Sequence, residues 1–462
     1  MKSNIINFRL IIMLSCFVGF TNSSRAQSFA AGNVHSVFLC TNGTVQSVGN
    51  NNYGQLGGGM ISFSSPDPVV AIGLTNITAL SATNNHTIFL KSDGSVWTVG
   101  NNYFGQLGDG TYTNRSTPLQ IAGLTDISAV ASGFYHSLFL KNNGTVWAVG
   151  YNVAGELGDG TFITKLTPVQ VLGITGITAI AGGYHSLFLK NDGTVWATGN
   201  NYYGQLGDGT TINRNTAVQV QGLTGITAIS VGEGHSLYLK NDGTVWAVGR
   251  NDYGQLGDGT TVNKSTPVQV NGLSGITTIS GGGFHSLFLK NDGTVWTVGR
   301  NDFGQLCDGT VVDKSTPFQI QGISGTVGIA AGGFHSLFLK NDDTVWAVGR
   351  NEFGELGNTI DPGSATPVPV IGICTLALGI KENAMENGIT IYPNPSHDQL
   401  FVEVKEYQST TVAILNLQGQ LLKSVPLQAL TTSIPINDLP SGMYLVQVKS
   451  PKGMMLKKIV KN

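Results

Sequence analysis

Residues 234–280 read GHSLYLKNDGTVWAVGRNDYGQLGDGTTVNKSTPVQVNGLSGITTIS, and variants of this stretch fill most of the chain. Ser236–Lys240 and Thr244–Val248 are short runs of apolar and β-favouring residues. Between them, Asn241-Asp242-Gly243 has the composition of a tight hairpin turn, with glycine supplying the positive φ. Pro267–Val270 and Ile276–Ile279 predict two further strands. Four short strands per unit, repeated, predict the blades of a β-propeller. Apolar residues on both sides of the strands fit blades that are buried on both faces.

The period is legible from the histidines. His35, His86, His136, His185, His235, His285 and His335 are separated by steps of 51, 50, 49, 50, 50 and 50 residues. A period near 50 means a repeat architecture. Residues found in every copy are expected to be structural, and function to lie where the copies differ. Each histidine is expected to bond within its own blade. The leucine of each Gly-Gln-Leu-Gly turn is expected to pack inward while the glycines allow the bend. The copies also drift. Gln46 stands where six others have tryptophan, Ala154 replaces an aromatic, and Asp343 replaces a turn glycine. The region begins partway through a cycle at Phe29 and ends with Pro367–Val370, from the earlier part of one. The C-terminal strand is therefore expected to complete the blade begun at the N-terminus.

Composition bounds the function. Charged residues make up 11% of the 462, below the roughly 25% of an ordinary soluble domain. Residues 27–380 carry 14 bases against 21 acids, net −7. That is the wrong sign for a nucleic-acid face. Lys2 and Arg9 precede the apolar run Leu10–Phe20, and Ser24-Arg25-Ala26 resembles a cleavage site, so residues 1–26 read as a signal peptide. Cys16 after Leu14-Ser15 offers a lipidated alternative. No other stretch is long enough to cross a membrane as an apolar helix. Cys40, Cys307 and Cys374 are an odd, isolated set, read as buried thiols and not as a disulfide framework.

Taken together, His-Ser-Leu-Phe-Leu-Lys, Gly-Thr-Val-Trp-Ala-Val-Gly and Asn-x-x-Gly-Gln-Leu-Gly resemble the regulator of chromosome condensation repeat. The resemblance spans about residues 28–380 and implies a seven-bladed propeller. After a polar connector at 381–388, residues 389–462 alternate short apolar runs with turns, predicting a small β-sandwich. Tyr392-Pro393-Asn394-Pro395, then Gly442 and Tyr444 within Leu439–Tyr444, then Lys457-Lys458 near the end, resemble the type A sorting domain of the bacterial type IX secretion system. That resemblance implies handling by the secretion machinery through residues 389–462. It also implies passage through the periplasm and across the outer membrane, to the cell surface or the medium. The fold class is therefore all-β: a propeller over 27–380, then a sandwich.

No chemistry stands out. Seven equivalent histidines on a ring point to seven different places and cannot share one metal ion. His-Ser recurs in most copies, so no single copy carries a distinct nucleophile, base and orienting acid. The Gly-Asp-Gly-Thr turns lack the acids of a calcium loop and the Lys-Ser/Thr of a phosphate loop. No metal, cofactor or catalytic residue is assigned. The pairs just before each histidine vary, and the resemblance places them on one face near the central channel. Phe134, Tyr135, Tyr184, Phe284 and Phe334 from this set, with Tyr203, Tyr253 and Phe303 from the turns, are candidate binding residues. The expected function is a secreted or cell-surface, non-catalytic propeller that binds an extracellular protein. A carbohydrate-binding surface is the alternative, and an enzyme with a site at the channel mouth is less favoured. Arg115, Lys165, Arg214, Lys264 and Lys314 are expected to form a solvated rim that offsets nearby acids.

Overall fold

The computed structural model describes residues 28–359, 362–374, 376, 389–392, 396–404, 410–415, 421–450 and 453–461. The expected signal peptide and the 381–388 connector lie outside them. Two units are present, Met1–Gly379 and Ile380–Asn462, and the described residues form strands, turns and loops with no helix.

The first unit contains seven four-stranded antiparallel sheets, each built from consecutive strands. We number the blades by their histidines in chain order. Blade 5 comprises Ile226–Val231, His235–Lys240, Val245–Gly249 and Lys264–Gln269. The hairpin register pairs His235 with Gly249 and Tyr238 with Trp246. The turn between these strands is closed by Asp242, whose Oδ1 accepts hydrogen bonds from the Thr244 amide and hydroxyl. In blade 7 Asp343 stands where Gly243 does here and adopts φ 68°, the strained geometry expected where a glycine is missing.

Packing runs between blades. Leu237, Leu239 and Val245 of blade 5 share one core with Ile279, Phe288 and Val298 of blade 6. Phe38 of blade 1 shares another with Leu337 and Leu339 of blade 7, which closes the ring by side-to-side packing. The turn leucines, from Leu56 to Leu356, are buried as expected. The turn glycines also allow close docking: a Cβ on Gly254 would come 2.4 Å from Ser315 Cα of the next blade. The five rim cations pair with turn aspartates, as in Arg115–Asp109 at 2.7 Å and Lys264–Asp258 at 3.4 Å. Those aspartates are nearly buried, so the rim is an ordered brace more than a solvated fringe.

Two expectations about the ends of the propeller need correction. Pro367–Pro369 belong to Gly363–Pro369, the outermost strand of blade 7, which pairs with Val345–Arg350. They do not complete blade 1. Beyond that strand the chain does touch blade 1, where Leu376 bridges Cys40. The cysteines are not all free thiols either. Cys40 and Cys374, 334 residues apart in sequence, form a disulfide, and Cys307 is the one free cysteine among the described residues. Spacing hid this pair because only ring closure brings the two ends together.

The second unit has two sheets, one of three strands and one of four. Leu400, Val402 and Ile434 from the first pack with Val412, Ile414 and Val446 from the second in one core. Tyr392 stacks on Phe401, and the Tyr444 hydroxyl donates to the Pro440 carbonyl at 2.6 Å. Gly442 opens the strand Gly442–Ser450, which pairs with the strand carrying Lys457 and Lys458. Pro393, Asn394 and Pro395 lie outside the described residues.

Candidate functional site

A ring of seven buried histidines supports one end of the blades. Each Nε2 lies 2.6–3.1 Å from a hydroxyl of the next blade: His35 to Thr87, His86 to Ser137, His136 to Ser186, and so on to His335 and Ser36. The bond crosses to the neighbouring blade, correcting the expectation that it stays within one. Each hydroxyl donates its proton back to a turn carbonyl of the preceding blade, as Ser286 does to Gln255 at 2.9 Å. A hydroxyl has one proton, so the histidine must donate from Nε2. In five copies a glycine three residues earlier makes room, as where a Cβ on Gly232 would meet His235 Cε1 at 2.1 Å. Burial lowers these histidines to about 4 for His35 and about 3 for the other six. They are neutral girders. Among the described residues no group of three or more His, Cys, Asp or Glu is placed to hold a metal ion.

The variable pairs stand at the same end, and blade-to-blade amide bonds link several of them. Phe134 donates to the Gly183 carbonyl, Tyr184 to Glu233, and Gly283 to Gly332. The candidate aromatics fall into two groups. Phe134 is buried and stacks on Tyr184 with centroids 4.3 Å apart, while Tyr135 touches Phe104, Tyr151 and Tyr184. Glu233 lies near this group. Its Oε1 would be 3.2 Å from a Cβ on Gly283. Burial raises its carboxyl to about 7 against the pull of Arg250 and Arg300. Burial, and then the Glu233 charge, push the Tyr184 hydroxyl upward.

The second group is an arc over blades 4 to 7. Arg250 lies 4.8 Å from the Tyr203 ring and 4.9 Å from Phe284. Arg300 lies between Tyr253, Phe284 and Phe334. Arg350 lies between Phe303, Phe334 and Phe353. Each guanidinium also pairs with the carboxylate two residues on: Asp252, Asp302 or Glu352. These rings are half-buried, so the cations fix them in place and leave part of each ring open. The arginines were not singled out from sequence. Their signal is the same residue after Val-Gly in three consecutive repeats.

Seven blades of this topology, a histidine-hydroxyl ring and a variable aromatic face define a propeller built for rigidity, with diversity confined to its loops. A family model for the RCC1-like domain matches residues 14–324, and one for the RCC1 repeat matches 327–355. The chain belongs to the RCC1-like domain family. A model of the secretion system C-terminal sorting domain matches residues 390–462, which marks the chain for export by type IX secretion to the cell surface or beyond. The solved structure of yeast RCC1 (Prp20) bound to Kap60 is similar in fold, with TM-score 0.63 and 22% identity, over 79% of this chain and 87% of that one. Human WBSCR16 is similar too, with TM-score 0.61 and 24% identity, over 68% and 86%. Among curated proteins, an RCC2 homolog of Danio rerio is 38% identical over 81 residues, 17% of this chain. The ultraviolet-B receptor UVR8 of Arabidopsis thaliana is 31% identical over 101 residues, 22% of this chain. These matches span only 16% and 23% of the relatives' own lengths. Among the described residues no helix is long and apolar enough to cross a membrane.

Proposed function

We propose that this exported propeller is a non-catalytic binding protein that engages an extracellular protein partner through the face carrying the variable pairs. The observation that carries this reading is the contrast on that face. The histidine ring beneath is uniform, while the residues above it change from an aromatic cluster in blades 2–4 to an aromatic–guanidinium arc in blades 4–7. Half-buried aromatics and arginines held in place are the residue types that anchor interfaces. Tyr202, 73% exposed, and Tyr103, 58% exposed, extend the face outward.

The test is site-specific photo-crosslinking on the secreting cell. A crosslinker at Tyr103 or Tyr202 should trap a discrete partner, and one in the opposite-end turn at Asp192 or Asp242 should not. Capture from the turn positions alone would reject the assignment of the face. Exposed tyrosine rings also favour a carbohydrate as the second reading. Glycan-array binding that disappears when Tyr135, Tyr184 and Phe284 are changed together to alanine would select it.

A further inference from the structure

Blade 1 is built differently from the other six. Its innermost strand, Phe29–Ala31, has three residues, against six in Ile226–Val231 of blade 5. The missing part comes from the other end of the propeller. In blade 5 Ile226 pairs with Lys240, and in blade 1 Leu376 bridges Cys40 at the matching place. The inner strand of blade 1 is thus assembled from both ends of the propeller chain. Leu376 and Phe29 meet in one core.

The two irregular residues of blade 1 hold this arrangement. Blades 2 to 7 place a lysine ammonium over a tryptophan ring, as in Lys240 over Trp246. In blade 1 both partners are replaced, lysine by Cys40 and tryptophan by Gln46. Both replacements contact one residue. Cys40 is disulfide-bonded to Cys374, and the Gln46 side-chain oxygen accepts the Cys374 amide at 2.6 Å. What reads as drift in the first repeat is a matched pair of substitutions that receives the end of the propeller.

We propose that Cys40, Gln46 and Cys374 form an oxidation-dependent latch, which closes the seam between blades 7 and 1 only after the chain has left the cytoplasm. The proposal rests on the export reading for its compartment, and its test in vitro does not. Closure joins the two sulfurs. The thiols release two protons, and two electrons pass to a disulfide-bearing oxidant, which leaves as a dithiol. Cytosolic thiols stay reduced, so the seam there has only its packing and hydrogen bonds, including His335 to Ser36 at 2.9 Å. A cross-link over so long a stretch of chain restricts the unfolded state strongly. The other cysteine among the described residues is a poor competitor. Cys307 is buried, and burial raises its thiol to about 12.

The experiment compares the folded full-length mature protein, oxidised and after dithiothreitol, with Cys40→Ser/Cys374→Ser and with Cys307→Ser. Reduction should lower the melting midpoint of the wild type by roughly 5–15 °C, to the value of the double variant. Cys307→Ser should keep the full response. Amide exchange should accelerate at 29–31, 36–40 and 371–376 while 235–240 stays protected, because stacked repeats open locally. An unchanged midpoint on reduction, or protection lost equally in every blade, overturns the latch. If the double variant does not fold, the reduced wild type alone makes the same comparison.

Discussion

His335 of blade 7 and Ser36 of blade 1 lie 299 residues apart in sequence, and His335 Nε2 approaches Ser36 Oγ at 2.9 Å, closing a ring of seven such bonds. Ser36 donates onward to the Glu355 carbonyl at 2.7 Å. One hydroxyl therefore satisfies two buried groups of the neighbouring blade. Removing it leaves both without a partner.

Ser286→Ala should therefore cost more than an ordinary serine truncation. It strands the His235 Nε2 proton and the Gln255 carbonyl. The expected loss is about 2–4 kcal/mol in urea unfolding, against a few tenths for an exposed change such as Ser274→Ala. Equal effects at the two sites would contradict the girder role.

Acid should destabilise the propeller before its carboxylates are exhausted. The seven histidines have folded pKa values lowered to about 3–4 from 6.5. The unfolded chain thus binds protons first as pH falls. Their contribution is fully present above pH 6.5 and is lost progressively toward pH 3–4. Each costs on the order of 1 kcal/mol at pH 5.5. Glu156, Glu233 and Glu355, raised to about 7, 7 and 6, act in the opposite direction between those values and 4.5. Seven groups outweigh three, so the melting midpoint should fall steadily from pH 6.5 to 4.5. A flat profile over that range would show that the histidines are solvated in solution.

Glu156→Gln should reverse one of the opposing terms. Five of the seven turns carry glutamine at this place, and Glu156 and Glu355 are the exceptions. Glu156 is buried, and its Oε2 already accepts the Ala154 amide, as a glutamine oxygen would. Stabilisation of about 2 kcal/mol is expected at pH 8, shrinking to nothing by pH 5. The check is a pair of denaturant titrations at the two pH values.

Asp343→Gly should stabilise the seventh blade. Its φ of 68° is one that the other turns give to glycine, such as Gly243 at 77°. The gain should be about 0.5–1 kcal/mol in the denaturant midpoint. A loss would mean that the carboxylate makes a compensating contact.

Much of the fold was readable because repetition multiplies a weak local signal. One Asn-Asp-Gly turn between two apolar runs suggests a hairpin, and seven near-copies define blades. The candidate face was half readable. Phe134, Tyr135, Tyr184, Phe284 and Phe334 differ between copies, which draws notice. Arg250, Arg300 and Arg350 repeat, so they pass for scaffold until their positions between rings are seen. The histidines are legible as a repeated feature, but their partners lie in the neighbouring blade and not in their own. A bond to the next blade looks the same in sequence as a bond within one, because each copy carries both halves.

The sequence by itself determined the period, the turns, the strand content and the addition of a sorting domain to the propeller, since all of these follow from local patterns of apolar residues, glycine and short motifs. Tertiary structure alone decided how the ring closes. Cys40 and Gln46 look like decay of the first repeat until the chain bends through seven blades and brings Cys374 onto both. The physical reason is that closure is a property of the ring. It joins residues more than 300 positions apart, and no local pattern records which of them will meet.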